Sequence, residues 1–425
     1  MTHWLRRLLL VEDEERGITL AAAGYFFCLL ATFFVLRPLR DAFGVQDAGR
    51  LARLFLWTFA CVLLAWPCLA WVVGRHPRRR AVPIVYRFVQ ANLLVFFALL
   101  LWSGGETRAN AVRVLFVWLS VFNLIGVTLF WGFMADVFRP EQAKRLYGAI
   151  GVGGTAGALS GSALTDLLAP RIGPMPLFLL CILLLEGALL CIRFLDRRCP
   201  VDPAREAANS REWREQGIAA SALTVVRSPY FLAIAGYVLL YSLFGTLTYN
   251  GQMEALRGSG LDEGARTAFQ ARINWVQNGI TVVLQLLITG RLLRRIGVGW
   301  GMGVQAMVAA AVLGLLAGGP VLGMFFWASV AGRTAHFAVA KPAQEALYTV
   351  VARVEKYRAK TFLDTVVYRG GDALASLLYE TLRVSMGFAQ VALAILPATA
   401  LWLVLGLLLG RWMEARSRAR TAANG

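Results

Sequence analysis

Two arginines and an aspartate, Arg37, Arg40 and Asp41, follow an apolar run over residues 18–36 that holds no charged side chain. A charge at bilayer depth costs about 3 kcal/mol or more, so such residues usually face a water-filled cavity. Guanidinium groups there favour an anion with phosphate or carboxylate oxygens. The alternative is a helix end from which the arginines reach the interface. Pro38 and the apolar residues after Asp41 favour a kinked helix that continues, and hence a buried anion site.

Four further residues inside apolar segments are candidates for contact with a solute. Tyr25 and Tyr241 lie in the first and seventh segments and could stack on a planar ring such as a base. Aromatic packing between helices is the more frequent role of such residues. Arg333 and His336 lie three residues apart in the tenth segment, on one helical face. This position predicts a role in binding substrate or in transferring a proton. The alternative for Arg333 is an ion pair with a carboxylate of the eleventh segment.

The eleventh segment carries charges of both signs at Lys360, Asp364, Arg369 and Asp372. Lys360 and Asp364 are spaced for an i,i+4 ion pair. Unpaired charges at a membrane boundary are costly, so pairs that differ between conformations would favour one state or the other. The set predicts a gate at the cytoplasmic ends of the tenth and eleventh segments, with substrate contact and static pairing as alternatives. Lys144 occupies the equivalent place in the first half.

The elements that position these residues are apolar segments of membrane-spanning length. The chain is 58% hydrophobic and 16% charged, with a mean hydropathy of +0.60. A span needs about 20 apolar residues to cross about 30 Å of hydrocarbon. We count twelve spans, at about 17–42, 52–73, 84–102, 111–134, 148–168, 175–195, 230–250, 270–290, 301–318, 320–340, 361–380 and 388–410. The sequence therefore predicts an all-α polytopic membrane protein.

A repeat organises these spans into two halves. Adding 216 to a residue number in the basic cluster at 74–79 gives the cluster at 290–295, and the same offset takes Tyr25 to Tyr241 and Lys144 to Lys360. The predicted domains are a six-helix half over 1–195, a cytoplasmic linker over 196–229 and a six-helix half over 230–425. This arrangement resembles the major facilitator architecture, in which substrate binds near the midplane. Convergent basic loops are the alternative explanation of the repeat.

The charge distribution indicates topology rather than nucleic-acid binding. The net charge is +18, but the basic residues lie in short clusters between apolar segments. The positive-inside rule then places both termini in the cytoplasm. The six cysteines have no paired metal spacing and are interpreted as small hydrophobic residues. Gly153, Gly157 and Gly161, spaced by four, predict close helix packing rather than a phosphate-binding loop.

Three motifs are similar to those of the nucleotide exchange (ATP/ADP translocase) family of plastids and intracellular bacteria, and are closest to its free-living bacterial branch. They are Leu36-Arg37-Pro38-Leu39-Arg40-Asp41, then Phe130-Trp131-Gly132-Phe133-Met134-Ala135-Asp136 with Glu141-Gln142-Ala143-Lys144-Arg145, and Lys356-Tyr357-Arg358-Ala359-Lys360 with 364–372. Leu119, Ser120 and Asn123 stand where family members carry an acidic residue, so Asn123 becomes a candidate substrate contact. Arg40 and Asp372 each stand where the family pattern has a lysine.

The resemblance implies a secondary active transporter, working by alternating access, that exchanges nucleoside triphosphate for diphosphate in a bacterial inner membrane. The expected partners are the lipid bilayer and an anionic solute, with no nucleic acid, and the expected state is a monomer. We expect no enzyme activity, metal or cofactor, because the chain holds no His-Glu-x-x-His or Gly-x-Ser-x-Gly motif. The alternatives are a proton-coupled carrier or exporter of another organic anion, and a membrane scaffold or sensor that keeps a transporter fold without transport.

Overall fold

The computed structural model describes residues 12, 15–75, 78–199 and 218–424. These residues form helices joined by short turns, and they contain no β-strand. The all-α membrane class predicted from the sequence is confirmed. Residues 200–217, which hold most of the predicted linker, lie outside the described part of the chain.

The helices of the first half correspond one to one with the first six predicted spans. In the described residues they are α1 (Arg16–Gly44), α2 (Leu51–Arg75), α3 (Arg78–Trp102), α4 (Gly105–Val137), α5 (Pro140–Ile172) and α6 (Pro176–Arg198). Proline at the start of α5 and α6 has its ring in the first turn, where no amide hydrogen is needed.

The helices of the second half are more often interrupted. Those described are α7 (Ile218–Val226), α8 (Pro229–Arg257), α9 (Glu263–Leu284), α10 (Gly290–Ala317), α11 (Leu322–Ala335), α12 (Lys341–Leu347), α13 (Arg353–Phe362), α14 (Tyr368–Arg383) and α15 (Phe388–Asn424). Three of the junctions are π turns, in which the backbone is wider than in an α-helix. They are π1 (Gln285–Thr289), π2 (His336–Ala340) and π3 (Leu363–Val367).

A glycine with a left-handed backbone divides the helical segment after π1. Gly297 has φ +76°, a conformation that only glycine adopts without strain, and it breaks α10. The eighth span therefore ends, and the ninth begins, inside the basic stretch predicted as a loop. With π2 and π3 joining helices end to end, the described helices other than α7 form twelve rods at the places of the twelve predicted spans, and α7 lies in the predicted linker.

Seven helical segments in the described residues are long and apolar enough to cross a bilayer. They are Arg16–Asp47, Ala81–Trp102, Gly105–Val137, Pro176–Arg198, Pro229–Arg257, Glu263–Ala317 and Phe388–Ala419. The 55-residue segment Glu263–Ala317 contains the break at Gly297 and so accounts for two spans. The remaining predicted spans coincide with α2, α5, α11 to α12 and α13 to α14.

The chain divides into two compact units. Unit 1 takes the described parts of Met1–Gly44, Leu64–Glu215 and Leu261–Trp275, and unit 2 those of Val45–Leu63, Gln216–Gly260 and Val276–Gly425. In unit 1, α1 packs on α4, α5 and α6, α3 packs on α4 and α6, and α5 packs on α6. In unit 2 the equivalent spans make the same six pairs, α8 with α11, α14 and α15, α10 with α11 and α15, and α14 with α15. This pairing is what an internal repeat predicts, while the boundaries 1–195, 196–229 and 230–425 stay a prediction.

Close contact between α1 and α5 depends on the glycine series. A Cβ added at Gly153, Gly157 or Gly161 would lie 2.2–2.6 Å from a backbone oxygen of α1. Small residues at four-residue spacing allow two membrane helices to approach backbone to backbone. The packing interpretation of these glycines is confirmed.

Candidate functional site

The first candidate group lies inside α1. The helix continues through Pro38 to Gly44, so Arg37, Arg40 and Asp41 are within it, as expected from the sequence. Arg40 Nε donates to Asp41 Oδ1 at 2.8 Å, and Asp41 is 1% exposed. The Arg40 guanidinium also lies 4.4 Å from the centroid of the Phe116 ring on α4. The carboxylate and the ring fix the orientation of this guanidinium.

The position of this group along α1 is close to one end of the helix. Arg40 follows Arg16 by 24 residues, which at 1.5 Å per residue is about 36 Å, slightly more than the hydrocarbon thickness. In the topology predicted from the basic clusters, with the N-terminus in the cytoplasm, this end of α1 is the outer one. A solute that binds Arg40 would therefore be held nearer the outer side than the midplane location implied by the architecture.

A further arginine, Arg108, lies beside this end of α1 and was missed by the sequence analysis. Arg108, in the first turn of α4, pairs with Glu263 of α9 at 2.8 Å and lies 5.8 Å from the centroid of the Phe43 ring. All these residues belong to unit 1. The available signal was the position of Arg108 and Glu263 shortly before the predicted spans 111–134 and 270–290, which alone does not distinguish an ion pair from a solvated loop.

Two of the predicted contacts in unit 1 differ in burial. Tyr25 is fully buried, its hydroxyl lies 2.8 Å from that of Tyr86, and its ring centroid is 4.9 Å from that of Phe130. These contacts are the ones expected if Tyr25 packs between helices, which is the alternative to stacking on a solute. Asn123 on α4 is half-buried. The roles of both residues in substrate binding stay predictions.

Unit 2 brings two separately predicted residues into direct contact. The rings of Tyr241 on α8 and His336 in π2 are stacked, with centroids 3.8 Å apart and planes inclined by 12°. His336 is 7% exposed, and its Nδ1 atom has no hydrogen-bond partner among the described residues. Arg333, in the last turn of α11, is half-buried and lies less than one turn before the histidine. The stacked pair therefore buries an imidazole nitrogen whose hydrogen-bonding capacity the described residues do not satisfy.

The predicted ion pair between Lys360 and Asp364 is wrong. Lys360 pairs with Glu345 at 2.8 Å, and Asp364 pairs with Lys341 at 3.1 Å. Lys341 and Glu345, one turn apart on α12, are 3.7 Å apart and close the chain of four charges. The physical reason is that π3 begins at residue 363, between the two predicted partners, and changes the helical register on which the i,i+4 expectation relied.

We refer to these four side chains as the α12 ion-pair chain. Each is about one-third exposed, so the individual pairs contribute little to stability. Sequence analysis could have found the two missed members, because Lys341 and Glu345 are themselves an i,i+4 pair. The side chain of Lys144 lies outside the described residues.

The other two predicted charges of the eleventh span pair with each other. Arg369 Nη1 lies 3.5 Å from Asp372 Oδ2, and Thr246 of α8 donates to Asp372 Oδ1 at 3.1 Å. One turn further along both helices, Asn250 donates to Ser376 at 3.3 Å. Asp372 is thus part of a row of polar contacts between α8 and α14, inside unit 2.

Comparisons with known proteins identify the family of this chain and the type of its fold. The profile of the TLC ATP/ADP transporter family matches residues 114–354. The chain is 23% identical over 337 residues to ADP,ATP carrier protein 1 of Chlamydia trachomatis serovar D, covering 69% of this chain and 63% of that one. The ADP,ATP carrier protein 1 of Chlamydia muridarum is 24% identical over 335 residues, with the same coverage. The chain thus spans about 63% of the length of these relatives.

Solved transporter structures share the fold. A POT family transporter in complex with a thioalcohol-conjugated peptide has a TM-score of 0.65 at 9% identity, covering 94% of this chain and 96% of that chain. The nucleoside transporter NupG has a TM-score of 0.61 at 12% identity, covering 95% and 99%. At these identities the likeness shows the fold alone, and the fold is the major-facilitator type predicted from the sequence.

Proposed function

Because this chain belongs to the TLC ATP/ADP transporter family, we propose that it is an alternating-access carrier that exchanges phosphate-bearing anions of the ATP and ADP type. The chlamydial relatives carry this activity in their names. The proposal places both termini on the cytoplasmic side of a bacterial inner membrane, which the basic clusters between the spans support. It also takes the functional unit to be a monomer.

The observation that carries the proposal is the Arg40–Asp41 pair in α1. The side chain of Asp41 is 2% exposed and that of Arg40 is 14% exposed, so Arg40 is the more accessible member of the pair. A fixed guanidinium binds phosphate oxygens with a smaller loss of side-chain entropy than a mobile one. We assign the phosphate contact to Arg40, with Arg37 as the neighbouring positive charge and Asp41 as the group that orients Arg40.

The aromatic site of unit 2 supports the same solute class. A purine is a planar heterocycle with polar edges, and the stacked rings of Tyr241 and His336 offer both a π surface and a ring nitrogen. Arg333 adds a positive charge on the same helix. In this proposal Tyr25 and Asn123 act as helix-packing and lining residues that shape the path of the solute.

The α12 ion-pair chain is proposed as part of the cytoplasmic gate. Its four charges lie at the end of the tenth span and the beginning of the eleventh, which is the cytoplasmic side in the proposed topology. Pairs that are made in one state and broken in another bias the equilibrium between the two. Arg369 and Asp372 belong to the same span and would move with it.

The proposal is tested by counterflow in proteoliposomes that contain the purified full-length chain. Vesicles loaded with ADP are expected to take up α-labelled ATP, whereas empty vesicles are not. Uptake that depends on a pH gradient instead of internal nucleotide would support the proton-coupled carrier of another anion. Absence of uptake for ATP, ADP and phosphate, in a preparation that keeps its helical content, would contradict the transport proposal and favour a scaffold or sensor.

A further inference from the structure

The tenth span contains a local backbone defect at π2 with a definite chemical consequence. The amide of Lys341 donates to the carbonyl of His336, five residues back, instead of to Phe337. The next residue is Pro342, which has no amide hydrogen. The carbonyl of Phe337 therefore loses both its α-type and its π-type donor, and the carbonyl of Ala338 loses its α-type donor.

Two side chains of π1 donate to these carbonyl groups. Gln285 Nε2 donates to the oxygen of Phe337 at 2.9 Å. Thr289 Oγ1 lies 2.7 Å from the oxygen of Ala338 and 3.1 Å from the oxygen of Leu284 on its own helix, so its single proton is directed to the nearer acceptor, Ala338. Thr289 is 7% exposed, so water does not replace its hydroxyl readily. A buried carbonyl without a donor is costly, particularly at membrane depth. The two π turns, on the eighth and tenth spans, are thus joined by side-chain to backbone hydrogen bonds.

The turn held in this way begins at the histidine of the candidate site. One extra residue in a turn rotates all side chains beyond it by about 100° relative to a regular helix. The width of π2 therefore sets the angle between His336, which faces Tyr241, and Lys341, which faces Asp364. A reversion to α-helical register cannot leave both contacts in place.

We propose that Gln285 and Thr289 are positioning residues for the solute site: they hold π2 open, and so keep His336 stacked on Tyr241, with its Nδ1 atom, which has no partner among the described residues, available to the solute. The solute group that fits this arrangement is a planar nitrogen heterocycle with a polar edge. Its identity as a nucleotide base rests on the proposed function. The positioning role itself rests on the hydrogen bonds to Phe337 and Ala338.

The transport test uses ADP-loaded proteoliposomes of the full chain and α-labelled ATP. Thr289→Val keeps the shape of the side chain and removes the hydroxyl, and it is expected to raise KM about tenfold, equivalent to about 1.4 kcal/mol. Thr289→Ser retains a donor and is expected to restore the wild-type KM. Thr281→Val is the matched control, because the Thr281 hydroxyl contacts Gln277 of its own helix, at 3.2 Å.

A double-mutant cycle separates positioning from general destabilisation. Thr289→Val is expected to change KM by less than about twofold in a His336→Ala background, since its effect passes through the imidazole. The same increase in both backgrounds would show an effect that does not involve His336, and would overturn the inference.

A measurement without solute keeps the two proposals distinguishable. The chain has three histidines, so selective histidine labelling gives few resonances by NMR. Stacking on Tyr241 shifts the His336 ring protons upfield, and Thr289→Val is expected to move them back, while Thr289→Ser and Thr281→Val do not. Unmoved His336 resonances in Thr289→Val overturn the positioning role. Moved resonances in a chain that transports neither ATP nor ADP would support that role and contradict the nucleotide.

Discussion

Replacement of Gly157 by alanine is expected to destabilise unit 1, because the new Cβ would lie 2.2 Å from the carbonyl oxygen of Phe27. Carbon and oxygen atoms in such contacts are normally at least about 3.3 Å apart. The helices α1 and α5 must therefore separate by about 1 Å at this level. A gap of that size forfeits a quarter to a half of the local dispersion energy, and overpacking of this kind typically costs about 1–3 kcal/mol.

The control lies on the same helix. A Cβ at Gly151 meets nothing within 4 Å, so Gly151→Ala only gains helix propensity, by at most about 1 kcal/mol. Gly157→Ala receives the same gain, which at its full value leaves a net destabilisation of up to about 2 kcal/mol after the clash. The two variants should shift unfolding in opposite directions.

The assay is reversible unfolding in mixed micelles with increasing SDS, followed by far-UV circular dichroism, with both variants and wild type in parallel. Equal midpoints for Gly157→Ala and Gly151→Ala would refute the backbone contact between α1 and α5. A stabilised Gly157→Ala would refute it more strongly, because propensity would then be the only effect of the added methyl group.

The remaining predictions concern charged residues. Arg40→Ala is expected to raise the KM for a phosphate-bearing solute about tenfold or more. Arg40→Lys is expected to restore the KM only in part, because lysine lacks the planar guanidinium group. Equal uptake kinetics in wild type, Arg40→Ala and Arg40→Lys would contradict this. Asp364→Lys places a like charge beside Lys341 and should change cysteine labelling from the cytoplasmic side, whereas unchanged labelling with normal transport would leave the ion-pair chain a static feature. Asp372→Leu removes the acceptor of Thr246 and should cost about 1–3 kcal/mol of stability in detergent unfolding, while Asp372→Asn keeps an acceptor and should cost less; identical losses would argue against this contact.

Several features follow from the sequence because they depend on local patterns. Segment length and hydropathy indicate the spans, since hydrocarbon thickness sets a minimum number of apolar residues. Spacing by four predicted the packing role of Gly153, Gly157 and Gly161, because helix periodicity places such residues on one face. Pro38 correctly indicated a helix that continues past the charges to Gly44.

Side-chain partners were decided by tertiary structure. Lys360 binds Glu345 and Asp364 binds Lys341, because a π turn changes the register between the predicted partners and α12 supplies closer charges. The stack of His336 on Tyr241 joins residues that are 95 positions apart, and no local pattern specifies it.

The sequence by itself therefore determined the class of protein, the spans and the glycine contact, all of which follow from length and periodicity along one helix. Only the tertiary structure decided that Tyr25 is buried against Phe130 and that Thr289 supplies a donor to Ala338. The reason is physical: a helix sets which residues share a face, but the angle, the depth and the backbone defects of its neighbours set which groups come within hydrogen-bond distance.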